Sequence, residues 1–308
     1  MRKVFLLIFL LFPCLIFSQE KQSFNLGNAS FFLDTRIMED GTITNIGFGL
    51  GYSAIFGGEI RGRFSKTSRN EELDDPDIAD SLIAMNETIF EMFFLPFQYR
   101  FTKNNNLRLW LGAGFYYEYQ KSDEKGFIDM PILESVGQER VNSIKDDFSL
   151  HLFGPLLDAE FNFSSEWFNI SFSGGIVPIF LLTAKEKYSM FPLIPKPVDH
   201  SQKTFGSPYF YLGLNSVLFQ YVNFKILYNY AQLKYQIIDF DESLAPIHPN
   251  TTVVTQSLMF EISALIPIGG LGFQIGYGYM MNFYSYNSSD SVSKNKHYLI
   301  LSGKKLLF

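Results

Sequence analysis

The chain has 308 residues, of which 47% are apolar, 17% aromatic and only 18% charged. This composition excludes a disordered or collagen-like chain, and 34 Phe and 17 Tyr residues are unusual for a soluble enzyme. The net charge of -6, without any basic tract, argues against binding to the phosphate backbone of nucleic acid. The single cysteine, Cys14, lies near the amino terminus, so the rest of the chain offers no disulfide or thiolate chemistry.

The first 18 residues predict a secretory signal peptide, which leaves 19–308 as the mature chain. Arg2 and Lys3 precede an apolar run, and Ser18 supplies a small residue at the cleavage position. A retained anchor helix needs about 20 apolar residues, and Pro13 interrupts this shorter segment. A lipoprotein signal needs a small residue before Cys14, where Pro13 stands. We therefore expect the protein to be exported.

Apolar residues recur with period two over unusually long segments. In 43–56, Ile46, Phe48 and Leu50 alternate with Gly47 and Gly49, which places the two sets on opposite faces of a strand. The same alternation returns in 107–120 and in 271–283. Soluble strands average about five or six residues, whereas a tilted membrane-crossing strand needs about 9 to 11. The length therefore favours strands that cross a bilayer.

The pattern predicts twelve strands, at 24–37, 43–56, 59–67, 88–101, 107–121, 147–163, 167–183, 207–219, 222–238, 253–267, 271–286 and 297–308. Tight turns are expected at 57–58, 102–106, 164–166, 220–221 and 268–270. Long polar or Pro-rich connections are expected at 68–87, 122–146, 184–206, 239–252 and 287–296. This alternation is typical of an outer-membrane barrel with short periplasmic turns and longer extracellular loops.

Aromatic residues cluster at both predicted ends of the strands. The turn-end set is Tyr99, Phe101, Phe161, Phe163, Trp167, Phe168, Phe219, Tyr221, Phe224 and Phe308. The loop-end set is Tyr117, Tyr119, Tyr209, Tyr211, Tyr235, Phe283, Tyr284 and Tyr286. Two aromatic girdles are expected where a membrane barrel meets the lipid headgroups. A soluble sandwich or barrel would explain the alternation, but not the girdles or the strand length.

These segments resemble the general class of Gram-negative outer-membrane β-barrel proteins. The strand-turn-strand formed by Leu95–Phe101 and Leu109–Tyr117 is similar to that of porin-like barrels, and the chain ends in Phe308. The resemblance implies an all-β fold, a transmembrane antiparallel up-and-down barrel in the outer membrane. It also implies contact with outer-membrane lipid and lipopolysaccharide, and insertion by the barrel-assembly machinery.

The face opposite the apolar one must line the lumen, and it carries charges of both signs. The candidate lumen residues are Glu59, Arg61, Arg63, Gln98, Arg100, Arg108, Glu118, Asp158, Glu160, Asn162, Lys225 and Glu261. The last residues of the sixth strand join this set only if a β-bulge at Gly154-Pro155 shifts the alternation by one residue. The charges either form a structural ion-pair network or order charged solutes at a constriction.

Glycines on the inward face favour residual space within the lumen. They are Gly47, Gly49, Gly51, Gly112, Gly114, Gly272, Gly276 and Gly278. The sequence therefore predicts a narrow passive channel for small polar solutes, without a cofactor or a metal. The main alternative is a closed barrel that acts as a surface-structural or adhesive protein through its loops.

A third hypothesis, an outer-membrane hydrolase, depends on Ser149 and His151, which are two residues apart on the sixth strand. The alternation predicts that both face the lumen, and their order is the reverse of the His-x-Ser arrangement of outer-membrane phospholipase. We therefore predict no enzymatic activity. In the acidic segment 68–87, Asp75-Pro76 predicts a short helix over 77–85 outside the membrane, in a loop that is solvated or bridged to lipopolysaccharide by divalent cations.

Overall fold

The computed structural model describes residues 28–52, 56–71, 79–101, 106–135, 137, 141–192, 194–206, 208–219, 221–235, 251–268, 271–286 and 290–307. The predicted signal peptide and the terminal Phe308 lie outside these residues. The described strands are β1 (Asn28–Met38), β2 (Gly41–Tyr52), β3 (Phe56–Glu71), β4 (Asp80–Arg100), β5 (Leu107–Asp129), β6 (Val141–Ser164), β7 (Phe168–Val177), β8 (Phe180–Phe191), β9 (Ile194–Gly206), β10 (Tyr209–Leu218), β11 (Val222–Tyr235), β12 (Thr251–Ile268), β13 (Leu271–Tyr286) and β14 (Asp290–Leu307). One short helix, α1 (Pro131–Ser135), follows β5.

Twelve of the described strands close into an antiparallel barrel. The order around it is β5-β4-β3-β2-β1-β14-β13-β12-β11-β10-β7-β6, and β6 pairs with β5 to complete the ring. The last strand closes on the first through a continuous register from Ala29 opposite Leu307 to Met38 opposite Tyr298. The predicted all-β barrel is confirmed, and closure leaves no unpaired edge within this ring.

The outer surface of the barrel is apolar. Phe48, Leu111 and Ile275 point outward with 41%, 45% and 54% of their surface exposed. The residues that alternate with them point into the barrel, as the pairing of Gly49 with Arg61 shows on β2 and β3. Large apolar side chains exposed in a continuous band are expected where lipid, rather than water, covers the surface. The twelve-stranded ring is therefore a membrane-spanning barrel.

Two further strands extend the sheet. Near the turn end, β6 pairs with β7 over Leu157–Ser164, whereas toward the loop end it pairs with β8 over Ser143–Phe153. Pro178 and Ile179 separate β7 from β8, and proline lacks the N–H that a continuous ladder needs. The hairpin of β8 and β9 therefore lies outside the closed twelve-stranded ring. Together with the loop ends of β3 to β6, it forms what we call the projecting sheet.

The long connections predicted at 68–87, 122–146 and 184–206 are largely strands, and that part of the prediction is wrong. β4, β5 and β6 have 21, 23 and 24 residues, so they continue well beyond a bilayer. The helix predicted over 77–85 is also wrong for 80–85, which begin β4; residues 72–78 lie outside the described part. Cross-strand pairing with β3 and β5 outweighs the local Asp-Pro signal.

Two details of strand register also differ from the prediction. β6 pairs with β5 without any shift from Leu107 opposite Phe163 to Asp129 opposite Val141, so the bulge expected at Gly154-Pro155 is wrong. The irregularity lies instead on β4, between Phe94 and Phe97. Pro96 stands inside that interval and cannot donate a ladder hydrogen bond. Gly57 and Gly58, expected in a tight turn, lie within β3.

The aromatic girdles are confirmed in part. Trp167, Phe219 and Tyr221 are exposed at the turn end, with 59% to 65% of their surface accessible. Tyr209 and Tyr211 were predicted in the loop-end girdle, but they face the lumen, where Tyr211 is buried and Tyr209 packs against a buried cluster. Their strand neighbours Phe210 and Leu212 occupy the outer face instead. The pairing of β10 with β11 determines which alternate residues of β10 point outward.

The orientation of the barrel gives a topological prediction. The projecting sheet and α1 lie at the end opposite the short connection 165–167, and long elements are extracellular in this class. A peptide tag inserted in α1 should therefore be accessible to antibody on intact cells, whereas a tag at 165–167 should require permeabilised cells. Labelling of 165–167 with α1 protected would reverse the assignment.

Candidate functional site

One group of lumen charges converges on Glu261 of β12. Its carboxylate oxygens lie 3.0 Å from Nη2 of Arg36 and 3.4 Å from Nζ of Lys225. The hydroxyl of Tyr298 donates a third contact at 3.0 Å. Arg36 also contacts Asp34, whose carboxylate accepts a hydrogen bond from Asn45. This network joins β1, β2, β11, β12 and β14 across the lumen, and it gives each buried charge an opposite partner.

A second group centres on Asp158 of β6. Nη2 of Arg61 lies 3.2 Å from Asp158, and Nε of the same guanidinium lies 3.6 Å from Glu59. The hydroxyl of Tyr211 donates to the other oxygen of Asp158. Arg61 also lies over the ring of Phe93, 5.3 Å from its centroid. Since Arg61 is on β3 and Tyr211 on β10, Asp158 links two distant parts of the barrel wall.

A third group surrounds Tyr116 of β5. Its hydroxyl donates to Glu118, and an oxygen of Glu91 lies 3.4 Å from the same hydroxyl. Glu91 in turn pairs with Arg63. Tyr116 is only 1% exposed, so the hydroxyl is fully enclosed by these partners. The carboxylates of Glu91 and Glu118 are held close to one hydroxyl, and Arg63 supplies the compensating positive charge.

Arg100, Arg108 and Glu160 belong to the turn-end parts of their strands. Arg100 pairs through its backbone with Trp110, and Arg108 pairs with Asn162. Arg108 is exposed, whereas Glu160, opposite Trp110 on β6, is half-buried. The structure therefore brings Arg61, Arg63, Glu118 and Asp158 into contacts with neighbours, and it leaves Arg108 near the mouth of the lumen. Lys225 and Glu261 lie in the separate group on β11 and β12.

Aromatic rings connect opposite parts of the wall. Tyr116 of β5 stacks on Tyr209 of β10 with ring centroids 5.2 Å apart. Phe93 of β4 meets Tyr211 of β10 edge-on at 5.7 Å. β4 and β10 are separated by three other strands of the ring. These four residues, which we call the aromatic bridge, therefore narrow the lumen.

Apolar side chains occupy the lumen on the loop side of the charges. Leu150, Leu152 and Leu156 precede Asp158 on the inward face of β6, and they pack with Phe180 and the aromatic bridge. On the other side of the barrel, Met38, Met259, Tyr298 and Ile300 form a second cluster. Alternation alone cannot identify these residues as lumenal, because apolar side chains are expected to face lipid.

The glycines of the inward face do not simply leave empty space. A Cβ atom at Gly47 would lie 2.1 Å from the ring of Phe32, and one at Gly278 would lie 2.2 Å from the ring of Tyr298. The expectation that these glycines mark residual lumen volume is therefore wrong at Gly47 and Gly278. At Gly175, which the sequence did not single out, the ring of Tyr211 would lie 2.6 Å from a Cβ atom. These glycines admit aromatic rings across the strand instead.

A polar cavity remains within the lumen. It has a volume of about 290 Å³ and is lined by residues of β1 to β3 and β10 to β14. Its charged lining residues are Asp34, Arg36, Arg63, Lys225 and Glu261. Within the described part of the chain, buried Oδ1 atoms of Asp34 and Asn223 and Nε of Arg63 have no hydrogen-bond partner. Because its lining includes carboxylates, amides and cationic groups, the cavity presents both acceptors and donors to a small guest.

The sequence pattern missed several residues of these groups. Asp34 and Arg36 alternate with Leu33 and Ile37 on β1, so the same parity argument that found Arg61 applies to them. Glu91 alternates with Phe90 and Met92 on β4 in the same way. The alternation that places Glu118 in the lumen places Tyr116 there as well, whereas Tyr211 was expected in the loop-end girdle, because aromatic residues are enriched at membrane interfaces.

The serine and histidine of the hydrolase hypothesis do not face the lumen. Leu150 and Leu152 are the inward residues of this part of β6, so Ser149 and His151 point outward, contrary to the prediction. Nδ1 of His151 lies 3.0 Å from the hydroxyl of Tyr117. Among the described residues, no cluster of His, Cys, Asp and Glu has the geometry of a metal site. No helix in the same part of the chain is long and apolar enough to span a membrane.

An acidic cluster lies on the inward face of the projecting sheet. Asp146 stands opposite Glu124 on β5 and opposite Tyr188 on β8. Burial raises the pKa of Asp146 to about 7, and the negative charges of Glu186, Glu124 and Asp147 add to this rise. The carboxyl is therefore partly protonated at neutral pH.

No protein-family model matches the chain, and no curated protein matches its sequence. Among solved structures, the outer-membrane protease OmpT from Escherichia coli is similar over 94% of this chain and 100% of its own, with 12% identity and a TM-score of 0.38. The β domain of the Bordetella autotransporter BrkA matches over 91% and 98%, with 10% identity and a TM-score of 0.42. The Pseudomonas putida toluene transporter TodX matches over 91% and 90%, with 10% identity and a TM-score of 0.37.

These neighbours assign no activity to this chain. Its own strand pairing, outward apolar band and closed ring have the architecture of a Gram-negative outer-membrane β-barrel.

Proposed function

We propose that the barrel is a narrow passive channel for small polar solutes, without catalytic activity. The observation that supports this function is the polar cavity, because a volume of about 290 Å³ lined by charges of both signs suits small hydrated guests. The carboxylate, guanidinium and ammonium groups of its lining offer hydrogen bonds to such a guest. The aromatic bridge limits the size of the solutes that could pass through the lumen.

Conductance of the refolded protein in planar bilayers tests this function. We expect small single-channel steps in the wild type. Replacing Arg61, Arg63, Arg100 and Arg108 together with Gln should shift ion selectivity toward cations, because Glu118, Asp158 and Glu160 then dominate the wall potential. Reversal potentials in a salt gradient measure this shift.

Two further variants keep this experiment interpretable. Arg108→Gln removes an exposed charge, so it should fold normally and still shift the reversal potential in the same direction. Replacing the four arginines with Lys preserves the charge and should leave selectivity near that of the wild type. Silent bilayers, or a four-fold Gln variant that only unfolds while Arg108→Gln has no effect, would contradict the channel.

The second candidate is a closed barrel that acts at the cell surface. It is favoured by the apolar lumen cluster, in which Leu95, Val177 and Leu182 are completely buried. The projecting sheet would then be the functional part, as a surface-structural or adhesive element. Because this candidate predicts no conductance from well-folded barrels, the same bilayer measurement separates the two.

A further inference from the structure

Lysines stand on the outer face of the projecting sheet directly beyond the apolar band. On β5 the outward residues pass from Phe115 through Tyr117 and Tyr119 to Lys121. On β9 the outward Phe205, 69% exposed, is followed by Lys203 at the next outward position. The change from apolar to basic residues therefore occurs within two adjacent rows on separate strands, where lipid headgroups are expected.

The strand register brings these lysines together. Lys121 pairs with Ser149, and Ser149 pairs with Lys185 of β8, so the two lysines flank one serine in the same row. The next row toward the lipid contains Tyr119, His151, Thr183 and Lys203, paired in that order. Neighbouring strands are about 4.8 Å apart, and outward residues repeat about every 6.8 Å along a strand. Flexible lysine side chains from these rows can therefore reach a single anionic group.

The three lysines differ from others on the same sheet. Lys121, Lys185 and Lys203 are exposed, and within the described residues no ion pair satisfies them. One row farther out, acidic residues begin, and Lys125 and Lys145 contact Asp123 and Asp147 at 3.0 Å and 3.6 Å. Carboxylates therefore neutralise Lys125 and Lys145 within the described residues, whereas Lys121, Lys185 and Lys203 remain free to meet an anion.

His297, on another side of the barrel, has the same kind of aromatic neighbours as His151, but none of the described outward residues beside it is a lysine. Tyr119 and His151 have ring centroids 4.8 Å apart, and Tyr279 and His297 have centroids 4.7 Å apart. In each pair the tyrosine two residues earlier, Tyr117 or Tyr277, contacts Nδ1 of the histidine. The next outward residues beyond Tyr279 and His297 are Met281 and Asn295, rather than lysines. The lysine patch is therefore specific to one side.

We propose that Lys121, Lys185 and Lys203, with His151 beneath them, bind the phosphate of an outer-leaflet glycolipid such as lipid A. The acyl chains of this lipid would lie against the apolar band, and its phosphate would meet the lysines at the headgroup level. Charge complementarity and continuity with the lipid-covered surface favour this ligand over a soluble anion, which would have no reason to select the row next to the lipid. This proposal is independent of whether the lumen conducts.

Native mass spectrometry of the full refolded protein, titrated with lipid A, tests the site. The variant K121Q/K185Q/K203Q should lower the affinity about a hundredfold, since each basic residue near an anionic headgroup contributes roughly a fivefold factor. The wild type should bind dephosphorylated lipid A much more weakly than the phosphorylated form. The conservative variant K121R/K185R/K203R should retain binding.

The matched control is K125Q/K145Q/K187Q, which removes the same charge from the same sheet farther from the lipid. It should change the affinity less than about threefold, because general attraction is screened over such distances. His297→Ala, on the side without lysines, should also leave binding unchanged. An equal loss in the two triple variants, or equal binding of dephosphorylated lipid A by the wild type, would overturn the proposal. Circular dichroism confirms that each variant is folded.

Discussion

Leu111→Arg is expected to destabilise the folded barrel in lipid by about 2 to 4 kcal/mol. Leu111 lies on the outer face of β5, within the run of outward apolar residues from Leu107 to Tyr119. Its side chain is 45% exposed on a surface that lipid covers, so a guanidinium there must reach water through the hydrocarbon. Phe48→Arg and Ile275→Arg should have similar costs. Urea titration of the protein refolded into vesicles measures the loss.

Val141→Arg is the control for this prediction. Val141 is also outward and 54% exposed, but it begins β6 at the far end of the projecting sheet, opposite Asp129. Arginine at that position remains in water and should change the free energy of unfolding by less than about 0.5 kcal/mol. Equal costs at Leu111 and Val141 would show that β5 does not contact lipid at Leu111.

Glu261→Gln is expected to lower the free energy of unfolding by about 3 to 5 kcal/mol. Glu261 is 8% exposed and is held by Arg36, Lys225 and Tyr298. The amide keeps the shape of the side chain but removes its charge, so Lys225 loses its anionic contact within the lumen. Arg36 retains Asp34. Urea unfolding of the refolded variant measures the effect.

Two variants separate this effect from a general loss of lumen charge. Glu59→Gln removes a carboxylate whose side chain is 27% exposed and 3.6 Å from Arg61, so it should cost less than about 1 kcal/mol. Combining Glu261→Gln with Lys225→Met should recover part of the lost stability, because no unpaired ammonium then remains. If Glu59→Gln lowers the free energy of unfolding as much as Glu261→Gln, the burial of Glu261 is not the reason for its effect on stability.

The class of fold and much of the barrel surface could be predicted from local sequence patterns. Strand alternation is a local property, so Phe48 and Gly49 could be assigned to opposite faces without knowledge of their neighbours. The same rule placed Arg61, Arg63, Lys225 and Glu261 in the lumen, where the structure has them. Export and the signal peptide remain predictions, since those residues lie outside the described part.

The contacts of the inward residues, in contrast, depend on strands that are distant in sequence. Arg61 contacts Asp158 across 97 positions of sequence, and no local pattern encodes that separation. The inward Leu150, Leu152 and Leu156 led to a false bulge, because the alternation rule assumes that an apolar side chain faces lipid. In this barrel they face the lumen, where they pack against apolar and aromatic side chains of other strands. Burial against other side chains stabilises an apolar residue as lipid does, so the face of such a residue depends on long-range pairing.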